Sequence, residues 1–226
     1  MQGQREGSDG NLVKPSLVVS GWSLAHARLS WGAEALKYIF FLFALLVLAA
    51  TVGSADDQRR KAGDAKENPI TRADIPGFTV IGIEARTANS KEATADGIIP
   101  KQWQKFFQEG TLAKIPSRVG SNIYALYIDY ASDRNGEYSF VIGAMVKNGT
   151  AAPVGMVAKQ IAGGQFAVIS SDKGPLPKVV PATWQAVWKM EDDGKLKRAY
   201  QTDFEIYDKR SQDPQNAEVD IYVGLK

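Results

Sequence analysis

Hydrophobic and polar positions divide the chain into a head and a body. Residues 38–55 form an uncharged run of 18, apolar on every face of a helix and just long enough to cross a bilayer. Residues 56–68, DDQRRKAGDAKEN, are charged and lack aromatics, which predicts a linker. From residue 69 onward, patches of alternation and of helical period take turns. Residues 78–83 read as a strand, and the small polar residues of 87–97 as a loop. Residues 98–110 read as a helix, with Pro100 in its first turn and Gly110 as its stop. Residues 123–130 and 138–146 are β-branched and aromatic. The turn signal Asp133-Arg134-Asn135-Gly136 lies between them, which predicts a hairpin.

The same order then returns. Residues 165–169 predict a strand, 179–190 a helix, and 203–208 and 219–225 two strands joined by a loop at 209–218. A shift of 81 residues lays the helix containing Pro100, Trp103 and Gln104 on the one containing Pro181, Trp184 and Gln185. It also lays the strand from Phe140 on the strand from Ile221. The first strands align at a shift of 88, Phe78 on Phe166. The expected fold is therefore α+β: a tandem β-α-β-β repeat with pseudo-twofold symmetry, an antiparallel sheet with two helices, and a cleft between the halves.

Composition narrows the chemistry. The chain has no cysteine, and its one histidine, His26, lies in the head. The body can form no disulfide, no thiolate metal site, no Cys nucleophile and no Ser-His-Asp triad. Net charge is +2, with +1 in the head and +1 in the body, which excludes the strongly basic balance of a nucleic-acid binder. The head divides into a region at 1–37 and a signal-peptide core or single transmembrane helix at 38–55. Small residues Gly53 and Ala55 suit a cleavage site before Asp56. Lys37 before the run and Asp56-Asp57 after it favour the body outside the cell membrane, periplasmic or extracellular, or anchored there through 38–55.

Further motifs occur in the body in a particular order. These are Tyr127-Ile128-Asp129-Tyr130-Ala131-Ser132-Asp133 with Gly136-Glu137-Tyr138, Ala162-Gly163-Gly164-Gln165-Phe166-Ala167-Val168, Pro181-Ala182-Thr183-Trp184, and Asp203-Phe204-Glu205-Ile206-Tyr207-Asp208. In this order they resemble the GyrI-like, AraC-type effector-binding domain. The resemblance spans residues 78–226 and implies a small-molecule-binding domain of tandem β-α-β-β fold. Relatives of this kind are fused to helix-turn-helix regulators, stand alone as sequestering proteins, or in a few cases hydrolyse small electrophiles. The resemblance places Glu205 in a ligand pocket.

Strand alternation puts Phe204 and Ile206 on one face and Glu205 and Tyr207 on the other, which either lines the cleft or faces solvent. The shift of 81 makes Tyr124 the symmetry mate of Glu205, facing it across the cleft. Tyr127 and Tyr130, three apart, are expected on opposite faces. Trp103 and Trp184 are candidates for cleft walls, whereas Phe106, Phe107 and Val187 read as core. Residues 195–198 (KLKR) read as a solvated turn. The resulting expectation is a small-molecule-binding module for an amphipathic, cationic aromatic ligand. Its ligand residues would be Glu205, Tyr124, Tyr127, Tyr207, Trp103 and Trp184, with no cofactor, no metal and no nucleic acid. The alternatives are a hydrolase using Glu205 as general acid/base, an effector-sensing partner of a regulatory system, and a Tyr-ligated haem protein.

Overall fold

The computed structural model describes residues 70–226. The head, with the apolar run at 38–55 and the linker at 56–68, lies outside the described residues. Among those residues no helix is long and apolar enough to cross a membrane. Eight strands run β1 Thr71–Ile75, β2 Phe78–Ala88, β3 Ile123–Ile128, β4 Glu137–Val146, β5 Val157–Ile161, β6 Gly164–Ser170, β7 Arg198–Tyr207 and β8 Asp220–Leu225. The helices are α1 Asn89–Glu92, α2 Ile99–Gln108, α3 Thr111–Lys114 and α4 Leu176–Asp192. Every strand pairs antiparallel in one sheet, in the order β1-β6-β8-β7-β3-β4-β2-β5.

The six anticipated strands and two principal helices are present, with differences at the edges. The short strands β1 and β5 were not anticipated: TRADI and VAKQI are five-residue edge strands with at most one buried position each. Strand β2 continues through Ala88 into the expected loop, and α1 follows at once. Each half is thus β-β-α-β-β, and the extra first strands are exchanged. β1 pairs with β6 of the other half, and β5 with β2.

The links that make this exchange, Pro76-Gly77 and Ala162-Gly163, cross in contact. A Cβ on Gly77 would lie 3.0 Å from the Ile161 carbonyl oxygen. One on Gly163 would lie 2.8 Å from the Gly77 nitrogen and 3.0 Å from the Ile75 oxygen. A side chain at Gly163 would overlap the opposing backbone, and one at Gly77 would force it to give by a few tenths of an ångström, which favours glycine at both.

The pairings correct the shifts read from sequence. A shift of 86 carries β1 and the Gly77 link onto β5 and the Gly163 link. Shifts of 80 and 79 carry β3 onto β7 and β4 onto β8, so that the pair Tyr124–Gly143 becomes Phe204–Tyr222. For β2 and β4 the sequence shifts were out by two, which preserves the face of each residue. For β3 the shift was out by one, which exchanges the two faces.

The helices cover one face of the sheet, over Ile83, Ala125, Phe140 and Ile142 in one half and Ala167, Ile169, Ile221 and Val223 in the other. The opposite face is filled by the sheet itself. Phe78 of β2 lies 5.4 Å from Phe204 of β7, although β4 and β3 separate the two strands. Three strand spacings in a flat sheet would be about 14 Å. The sheet therefore curls around this face, where Ile75, Val80, Tyr124, Val141, Ile161, Phe166, Phe204 and Tyr222 bring together side chains from all eight strands.

Candidate functional site

Strand β7 lies at the centre of the sheet, directly against β3. Its alternation sends Asp203, Glu205 and Tyr207 to the helix face and Phe204 to the curled face. Glu205 is 1% exposed, so the solvent-facing alternative for this carboxylate does not hold. Its cross-strand neighbour is Ala125, which the shift of 80 also makes its symmetry mate. The pseudo-twofold axis passes through this pair, and the small Ala125 side chain leaves the space above the axis to the carboxylate of Glu205.

Two tyrosines related by the same shift converge on that carboxylate. Tyr127 donates its hydroxyl to Oε1 at 2.8 Å, and Tyr207 donates to Oε2 at 2.7 Å. Trp184 of α4 adds its indole N–H to Oε1 at 2.6 Å. Each tryptophan packs edge-on against the tyrosine of the other half. Trp103 meets Tyr207 at 4.9 Å and 67°, and Trp184 meets Tyr127 at 5.0 Å and 64°. The near-identical geometry makes the symmetry a property of the site as well as of the backbone. Trp103, half-buried and stacked on Phe107, packs on one side of this aromatic set.

Helix α2, which carries Trp103, is anchored from outside itself. Glu92, 6% exposed, accepts the backbone N–H of Ile98 at 2.8 Å and of Ile99 at 3.0 Å, together with the Thr87 hydroxyl. The carboxylate satisfies donors that the start of a helix leaves unpaired and complements its dipole.

Electrostatically, the partners of Glu205 among the described residues are neutral. Burial pushes its carboxyl above the ordinary carboxylate range, and the bonds from Trp184, Tyr207 and Tyr127 pull it partly back. Burial, reinforced by the nearby Glu205 charge, raises the phenols of Tyr127 and Tyr207 well above their usual range, so both remain donors. The site is thus a buried acceptor ringed by π faces and, among the described residues, without a counter-ion. A bound cation would provide one.

Four expectations need correction. Tyr124 is on the curled face, 5.7 Å from Phe78 and 6.4 Å from Phe204, paired across to Ile206 and not to Glu205. The cause is the one-residue error in the β3 shift. Tyr130 is on the same face as Tyr127, 5.6 Å from Tyr138 and bonded to Asp203 Oδ2 at 2.7 Å. Strand β3 ends at Ile128 and Asp129 takes φ 52°, so alternation does not extend to Tyr130. Phe107 is only half-buried, although Phe106 and Val187 are core. The 195–198 stretch exposes Lys195 and Lys197 but buries Leu196 and Arg198, 4% and 3% exposed, because β7 begins there.

Sequence reasoning missed Tyr138, Asp203 and Arg198. Tyr138 packs on Tyr127 and bonds to Asn89 Oδ1 at 3.0 Å. Asp203, 0% exposed, pairs with Arg198 at 2.6 Å and accepts the Gly224 N–H at 2.9 Å. Its position two residues before Glu205 was signal enough, since both must share a face.

The family model of Cass2, described as integron-associated effector binding protein, matches residues 73–225. The chain belongs to this Cass2 family. Its effector-binding domain is GyrI-like, as the ordered motifs implied. The integron cassette protein of Vibrio cholerae is 26% identical, with a TM-score of 0.56 over 70% of this chain and 95% of that one. YobU of Bacillus subtilis strain 168, named as a transcriptional regulator protein, is 31% identical over 70% of this chain and 96% of its own length. BrlR of Pseudomonas aeruginosa, named a transcriptional regulator, is 29% identical, and the match spans 53% of its length. SAV2435, whose structure is bound to tetraphenylphosphonium, shares the fold at a TM-score of 0.58 and 20% identity, over 70% of this chain and 94% of that one. The Cass2 domain is thus an effector-binding domain.

Proposed function

We propose that this effector-binding domain captures amphipathic aromatic cations, with Glu205 as counter-ion and Tyr127, Tyr207, Trp184 and Trp103 as the aromatic walls. The observation that carries this reading is a carboxylate 1% exposed whose three bonds come from neutral donors. Such a group loses hydration without gaining a positive charge, so the first cation to reach it restores the missing attraction. The rings add cation–π attraction of about 0.5–2 kcal/mol per face. A neutral ligand gains only the stacking, and an anion is repelled.

The ligand seen in SAV2435 supplies the probe. The full chain, titrated with tetraphenylphosphonium, the uncharged triphenylphosphine oxide and the anionic tetraphenylborate, should bind the cation at least tenfold more tightly than either of the others. Comparable affinity for all three sinks the reading. The relatives named as regulators support a role as the sensing part of a regulatory system. The apolar run at 38–55 makes export or tethering part of the same proposal, which cell fractionation of the tagged protein tests.

A further inference from the structure

Arg198 is 3% exposed and lies beside the site without touching Glu205. Arg198 and Asp203 are five residues apart on β7, so a regular strand would turn their side chains to opposite faces. They meet at 2.6 Å because the register slips between them and Tyr200 takes φ 56°. A bulge with a left-handed tyrosine is a strained arrangement, and here its effect is to re-aim one cation.

The guanidinium fans out over a cage of groups from two elements. Its carbon lies 4.3 Å from the Tyr200 ring centre and 5.7 Å from that of Trp184. One terminal nitrogen reaches Asp203, and the other lies 3.6 Å from Glu191. Tyr200 in turn donates its hydroxyl to the Glu191 carboxylate at 2.7 Å. Trp184 and Glu191 are seven residues apart on α4, two turns along one helix face. Arg198 therefore holds α4 at two points on that face. One of them is the indole whose N–H points at Glu205 Oε1.

We propose that Arg198, fixed by Asp203, is a positioning residue for the Glu205 site. It stacks on the Trp184 indole and locks α4 in rotation, which keeps the indole N–H directed at the carboxylate. Its own charge is matched by Asp203 and Glu191, so it orients the donor without supplying Glu205 with a counter-ion. The proposal rests on the binding reading only for its consequence, ligand affinity. The positioning itself is a property of the free protein.

The test is the Trp184 indole resonance in the 15N-labelled full chain, assigned by its loss in Trp184→Phe. In the wild type it should lie downfield and exchange slowly with water, as a short bond to a carboxylate requires. The variant Arg198→Met/Asp203→Asn removes the pair without leaving a lone charge. It should move that resonance upfield, speed its exchange at least tenfold, and weaken tetraphenylphosphonium binding about fivefold. Arg198→Lys keeps the charge but loses the planar face, and should fall between wild type and the double variant on all three readings. A folded double variant with an unmoved indole resonance overturns the proposal. Should the double variant not fold, an unmoved indole resonance in Arg198→Lys overturns it. Absence of tetraphenylphosphonium binding by the wild type would defeat the functional reading alone, because the indole measurement needs no ligand.

Discussion

Asp203 and Glu205 are two residues apart on one strand, on one face, and both are almost completely buried. Asp203 has a cation, Arg198, together with a backbone N–H and the Tyr130 hydroxyl. Burial lowers the Arg198 guanidinium, but the charge and hydrogen bond of Asp203, together with Tyr130 and Tyr200, outweigh it and hold it above its usual value. Glu205 has two phenols and an indole. The same residue chemistry at the same depth is thus finished in one place and unfinished in the other. A buried ion pair holds structure together, whereas a buried carboxylate left with neutral donors is poised to attract a positive charge from outside.

The largest expected effect is on stability, at the finished carboxylate. Asp203→Asn leaves Arg198 buried with its nearest counter-ion gone, and should cost about 3–5 kcal/mol in urea unfolding. Glu205→Gln on the same strand should change stability by less than about 1 kcal/mol. It should, however, weaken tetraphenylphosphonium binding at least tenfold, about 1.4 kcal/mol, in a calorimetric titration. Equal losses of stability in the two variants would erase the distinction.

Tyr127→Phe and Tyr207→Phe each take one donor from the buried carboxylate. Each should cost about 1–2 kcal/mol of stability by denaturant titration, with Tyr207→Phe the costlier because it leaves Oε2 without its donor, whereas Trp184 still serves Oε1 after Tyr127→Phe. Tyr124→Phe serves as the control, with probe affinity unchanged.

The smallest effect is a pH dependence. The folded-state pKa of Glu205 is raised from its ordinary 4.5, so the folded chain prefers the protonated form. Its contribution is fully present below the unfolded pKa and is lost as pH rises through the folded value. Relative to Glu205→Gln, the wild type should lose stability between acid and neutral pH. A constant difference between their melting temperatures across that range would contradict the assignment.

Much of the fold could be read from residue order. The two helices and the six inner strands follow from period and turn chemistry, and the repeat from Trp103 and Trp184 in matching contexts. The edge strands β1 and β5 could not be read, because each is five residues long with at most one buried position, and gains its pairing only from the opposite half. At the site, Glu205 and Tyr207 follow from alternation and motif. Tyr124 was misplaced because a repeat aligned on helices does not determine strand register to one residue.

Local chemistry along the chain settled which segments become helix or strand, that Glu205 and Tyr207 share a face, and that the body has no imidazole or thiol to use. Period, capping and composition are local quantities, and each is complete within a few residues. Only the folded sheet decided that Ala125 lies opposite Glu205, that Tyr127 and Tyr207 meet on one carboxylate, and that Arg198 is given to Asp203 instead. Those outcomes depend on pairing register and on one bulge, which are settled between strands about 80 residues apart in the chain.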